Sequence, residues 1–139
     1  MLLCYVDEST QGRFHGFAAI LADEYATRRL TASLNRIMDQ ASVDYGIPST
    51  TEIHAHPMFH GREAWKDVGS RARVGLFYKI IDAIVLEDVT ILLRSVDQVR
   101  LEQRQANQNY PVAFPPEQIC FQHILQRADA SPGAERLTV

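Results

Sequence analysis

Apolar residues open the chain as an uninterrupted block. Leu2-Leu3-Cys4-Tyr5-Val6 are followed by Asp7-Glu8-Ser9, which predicts a short strand buried on both faces and ended by its two carboxylates. Gln11-Gly12-Arg13 reads as a turn and Phe14 to Ala22 as a second strand, so the chain begins as a hairpin. Gly16 within that second strand signals a bulge or a close backbone approach. The period then changes. Between Glu24 and about Tyr45, Leu30, Leu34, Ile37, Met38 and Ala41 make a helical stripe, with Arg28, Arg29 and Arg36 largely off it. Gly46 and Pro48 end that helix.

Thr51-Glu52-Ile53-His54-Ala55-His56 is polar except for Ile53, and Pro57 and Gly61 predict an irregular segment after it. A long helix is expected from near Ala64 to about Leu86, with Val74, Phe77, Ile80, Ile81, Ile84 and Val85 inward. Asp88 to Val96 is rich in β-branched residues and reads as a strand. Val99 to Asn109 is strongly polar and reads as an exposed or mobile connection. Pro115-Pro116 start a last helix, with Ile119, Cys120, Ile124 and Leu125 on its inner side, that Ser131-Pro132-Gly133 closes. Arg136 to Val139 looks like the opening of another strand. The resulting order predicts one α/β domain over 1–139: a central mixed sheet with helices on its faces.

Composition narrows this picture only slightly. A chain of 139 residues, 46% hydrophobic and 22% charged, suits one globular domain with a real core. The net charge of −3 argues against a generally basic nucleic-acid coat, though a local basic groove is compatible with it. Cys4 and Cys120 are read as buried free thiols. No apolar run approaches the ~20 residues of a membrane span, and the N-terminus lacks the features of a signal peptide. A cytoplasmic protein with no membrane partner is the expectation.

Candidate chemistry concentrates after the first helix. Three of the five histidines, His54, His56 and His60, fall within seven positions. If the segment is extended, Glu52, His54 and His56 share one face. One reading has Asp7 and Glu52 holding Mg²⁺ or Mn²⁺ through oxygen, the ligand atom these ions prefer. Another, ranked below it, has His54, His56 and His60 binding zinc. Arg62 is a candidate phosphate contact. Arg71, Arg73 and Lys79 are read as a solvated helix face rather than a phosphate site. No phosphate-binding glycine loop and no nucleophile elbow around Ser9 is present.

The opening Tyr5-Val6-Asp7-Glu8-Ser9, the apolar strand after it, and Glu52-Ile53-His54 before a long helix resemble a specific family. It is the domain-of-unknown-function family numbered thirty-eight hundred, a branch of the ribonuclease H-like superfamily. The similarity runs from Met1 to about Arg127 and includes Pro116-Glu117. It implies a ribonuclease H-like mixed sheet with carboxylates gathered at its centre and a divalent-metal, nuclease-like site. Asp7 matches the family's first-strand aspartate, the anchor metal ligand of ribonuclease H-like enzymes. Glu52 and His54 match its Glu-x-His, while Glu8 would point to the other face and support the site, with Ser9 and His56 beside it. Family members continue with an Asp-Glu pair and a later aspartate, so the chain is expected to be C-terminally truncated relative to them.

Two functions follow as expectations. The first is a Mg²⁺- or Mn²⁺-dependent nuclease or phosphodiesterase acting on nucleic acid. Its catalytic residues are Asp7, Glu52 and His54, the first two gathered around a shared cation. The alternative is a catalytically inactive binding or regulatory module, such as a homodimeric scaffold paired through the edge left by the unfinished last strand.

Overall fold

The computed structural model of the chain describes residues 1–131 and the backbone of 137–138. The chain divides into two compact units: residues 1–24 with 89–139, and residues 25–88.

The first unit is a mixed four-stranded sheet in the order β3-β2-β1-β4. Strands β1 (Leu2–Gln11) and β2 (Phe14–Asp23) form the expected hairpin, paired from Leu2 with Asp23 to Gln11 with Phe14. The two-residue connection Gly12-Arg13 fixes this register and keeps β1 paired through its polar end. Asp7 and Glu8 therefore lie inside the strand rather than ending it. Nor is β1 buried on both faces: Tyr5 is 54% exposed, and every residue from Asp7 to Gln11 is exposed. The apolar block reflects a strand covered on one side, whose open side still carries Tyr5.

Strand β3 (Val89–Asp97) pairs antiparallel with β2. The pairing of β1 with β4 (Leu137–Thr138) is parallel, joining Leu2 to Leu137 and Leu3 to Thr138. The rest of the expected last strand, Arg136 and Val139, lies outside the described residues. Register places Cys4, Val6 and Glu8 of β1 beside Leu21, Ala19 and Phe17 of β2, on the face where helix α5 (Pro116–Asp129) sits against β2 and β3. There Phe121 of α5 meets Phe17, ring centres 5.8 Å apart. Gly16 makes a close approach and not a bulge, since the register runs through it unbroken. A Cβ at that position would lie 2.8 Å from the Arg94 carbonyl oxygen.

Between β3 and α5 the polar stretch read as a connection is mostly helix α4 (Gln98–Asn107). Asp97 caps it, its Oδ1 accepting the Arg100 N–H at 3.3 Å. The helix escapes a periodicity search because it buries no residue. The side chain of Gln105 clasps the Phe114 backbone through both its amide atoms, tying the following loop back to α4.

The second unit is helical, with a core of its own. Helix α1 (Glu24–Tyr45) contributes Met38 and Ala41, and α3 (Ser70–Val85) contributes Leu76 and Ile80, around Ile47, Met58, Trp65 and Val68. The α1 stripe is the one its sequence predicts. That of α3 is rotated: Val74, Ile81 and Val85 are exposed, while Leu76, Ile80 and Ala83 are buried. Helix α3 also starts six residues later than expected, because a single 3₁₀ turn at Glu63–Trp65 drives Trp65 and then Val68 into the core first. Between the two long helices lies α2 (Ala55–His60), where an irregular segment was expected. Pro57 falls in its first turn, where the missing N–H has no helical partner to lose. No helix among the described residues is long and apolar enough to cross a membrane.

Candidate functional site

Asp7 lies on β1, which is flanked by β2 on one side and by β4 at its beginning. Its Oδ1 accepts the backbone N–H of Glu8 at 3.0 Å, and among the described residues its other oxygen has no partner. Alternation puts Leu3, Tyr5, Asp7 and Ser9 on the face opposite α5, with Ala18 across from Asp7 and Gly16 across from Ser9. Glu8 takes the other face, as strand alternation requires. A shallow groove of about 340 Å³ runs beside Ser9, bounded by Phe14, Gly16, Leu93 and Arg94 among others. Missing side chains at Gly16 and Ala18 open this groove, while the register pairs Arg94 with Phe17 and so turns its side chain to the α5 face.

In the second unit, Glu52 and His54 are brought together. The His54 N–H donates to the Glu52 carbonyl at 3.1 Å, a three-residue turn centred on Ile53. Ile53 packs against the helical core, so the residues on either side of it turn outward. There the His54 Nε2 and a Glu52 carboxylate oxygen lie 3.0 Å apart. Both are open to solvent, at 59% and 82% exposure, so the contact adds little to stability. Its consequence is chemical: the carboxylate orients one imidazole nitrogen and leaves the other free.

His56 does not join them on an extended face, because the chain enters α2 at Ala55. Helical spacing pairs His56 with His60 instead, ring centres 4.4 Å apart. The zinc trio of His54, His56 and His60 is thus split into a carboxylate–imidazole pair and an imidazole pair. Among the described residues no three His, Cys, Asp or Glu side chains gather as a metal cluster. Arg62 is exposed, and its guanidinium makes no ion pair among the described residues.

Asp7 belongs to the first unit and Glu52 to the second. A carboxylate beside an imidazole suits a single ion that keeps most of its water, since Mg²⁺ is often held through only one or two carboxylates. The donor sets that the described residues bring together do not suit a two-metal centre.

Three further residues depart from expectation. Arg73 is not on a solvated face: it lies against Gly61, and its Nη1 donates to the Trp65 carbonyl at 3.4 Å. His15, which the sequence did not single out, is 3% exposed, with Nδ1 3.1 Å from the Thr10 hydroxyl and Nε2 buried without a partner among the described residues. Cys120 is buried as expected and donates its thiol hydrogen to the His15 carbonyl at 3.6 Å; Cys4 is only partly buried. Burial pushes both thiols up, with repulsion from the Glu117 carboxylate adding to the effect at Cys120. Both cysteines are free. No protein-family model, no curated protein and no solved structure matches the chain.

Proposed function

We propose that the chain is a divalent-metal-dependent phosphodiesterase or nuclease of ribonuclease H-like type, related to the family its motifs resemble. The observation that carries this reading is the Glu52–His54 pair, held outward by Ile53 at 3.0 Å. Support comes also from the place of Asp7 on a strand inside a mixed sheet, with a carboxylate oxygen that has no partner among the described residues. In the second unit, the exposed Arg62 suits contact with a phosphate.

In this reading Asp7 and Glu52 are the metal-ligating carboxylates. Bound Mg²⁺ or Mn²⁺ would supply Lewis-acid polarisation of a phosphoryl oxygen and a more acidic water. Glu52 orients His54, which serves as a ligand or delivers a proton to the leaving oxygen. Arg62 contacts a phosphate.

The test is cleavage of end-labelled single- and double-stranded DNA and RNA by the purified chain with Mn²⁺ or with chelator. Cleavage with Mn²⁺ alone is expected, slowed by roughly 10²–10⁴ in His54→Ala, the usual contribution of a positioned acid or base. Equal rates in His54→Ala and the parent chain would remove His54 from the chemistry.

One observation favours a second reading, a binding module without catalysis. The face bearing Asp7 also carries Tyr5, Ile91 and Leu93, each at least half exposed. Side chains of that kind in one patch mark contact surfaces as often as active sites. Under it, none of the four nucleic acids is cut with Mn²⁺.

A further inference from the structure

The pairing of His56 with His60 is a feature that the proposed activity does not use. Residues four apart on a helix stand one above the other. Here the two rings are centred 4.4 Å apart and inclined at 47°. Both side chains are exposed, and among the described residues neither ring nitrogen has a hydrogen-bond partner. Helical spacing of this kind lets two imidazoles ligate a single transition-metal ion from one face.

A six-residue helix would not by itself hold such a geometry, since isolated helices this short do not persist in water. Tertiary contacts fix α2 from both ends. Met58, on the side of the helix away from the two histidines, is fully buried in the core of the second unit. Phe59 packs on Phe77 of α3, ring centres 4.6 Å apart. Gly61 ends the helix in the left-handed region at φ 61°, with its own N–H donating to the Met58 carbonyl and that of Arg62 to the Pro57 carbonyl. The positive φ at Gly61 favours glycine, and the Arg73 guanidinium lies against it where a side chain would otherwise stand. The backbone that carries the imidazoles is therefore set before any ion arrives.

We propose that His56 and His60 form a two-imidazole site for a borderline divalent transition metal, Zn²⁺ or Ni²⁺, with water completing its coordination. Imidazole suits these ions, and oxygen-seeking Mg²⁺ gains nothing from it. The ion would clamp the first turn of α2 to its last residue. This assignment is independent of the proposed phosphodiesterase chemistry, which uses other residues and another class of ion.

The test is calorimetric titration of the whole chain with NiCl₂ and ZnCl₂, with MgCl₂ alongside. One equivalent of Ni²⁺ or Zn²⁺ is expected to bind, and no Mg²⁺ heat at these residues. His56→Ala and His60→Ala should each weaken Ni²⁺ binding about tenfold or more, a loss of about 1.4 kcal/mol. The exposed His123, in the other unit, serves as control, and His123→Ala should bind as the parent does. Far-UV circular dichroism of each variant shows that α2 and its surroundings remain folded, and His60→Asn gives a second, polar replacement. Binding that survives loss of both His56 and His60 overturns the assignment. So does a loss of equal size in His54→Ala, which would place the ion on a different set of groups.

Discussion

Trp65→Ala is expected to destabilise the helical unit by about 3–5 kcal/mol, the range for truncating a large buried aromatic. Trp65 is 1% exposed and sits among Met38, Ile47, Met58 and Leu76, side chains from three helices and the connection after α1. No neighbour can move to fill its volume without giving up contacts of its own. Domains are stable by only about 5–15 kcal/mol, so the loss removes a large share of what holds this unit together. Urea unfolding followed by far-UV circular dichroism measures it. Trp65 is the sole tryptophan, so the fluorescence of the parent chain reports on this unit alone. Trp65→Phe should cost clearly less. A loss below about 1 kcal/mol for the alanine variant would mean that the core is not built around this residue.

Asp7→Ala should abolish Mn²⁺-dependent cleavage, by about 10³-fold or more if its carboxylate anchors the ion. The fold should not suffer. Asp7 is exposed, its carboxylate accepts a hydrogen bond only from the neighbouring backbone among the described residues, and it belongs to a residue type that strands disfavour. Asp7→Asn keeps the shape and removes the charge, and should be nearly as inactive. Glu8→Gln offers an internal contrast, because Glu8 stands on the α5 side of the same strand and should matter far less. Rates measured at saturating Mn²⁺, with thermal unfolding run in parallel, separate lost chemistry from lost structure. Undiminished cleavage by both Asp7 variants would remove the metal-dependent mechanism.

Legibility in the sequence followed hydrophobic pattern closely. Strand β2, α1, β3 and α5 each carry an apolar run or stripe and stand within a residue or two of where the pattern puts them, while β1 runs past the two carboxylates expected to end it. Elements stabilised by local devices were harder to see. Helix α4 depends on the Asp97 cap and buries nothing, while α2 is closed by Gly61 and held by one buried methionine. A proline read as a breaker proved to be a first-turn residue, because tolerance depends on position within a helix that pattern had not revealed. The same local blindness reached the candidate site. Glu52 and His54 meet across a three-residue turn centred on Ile53, which packs against the core between them. Two positions later the period becomes helical, and His56 turns to His60 instead. Helices predicted on the faces of one sheet divide between two units, with α1, α2 and α3 around a separate core. Pattern shows which side of a helix is buried, and not what buries it.

The claim that Asp7 and Glu52 are metal-binding carboxylates is tested most directly by calorimetric titration with MnCl₂. The protein should carry His56→Ala and His60→Ala, so that imidazole binding does not contribute heat. A saturable sub-millimolar isotherm is expected, weakened about tenfold or more when Asp7→Asn and Glu52→Gln are combined. Isotherms that stay the same when both carboxylates are replaced would contradict it.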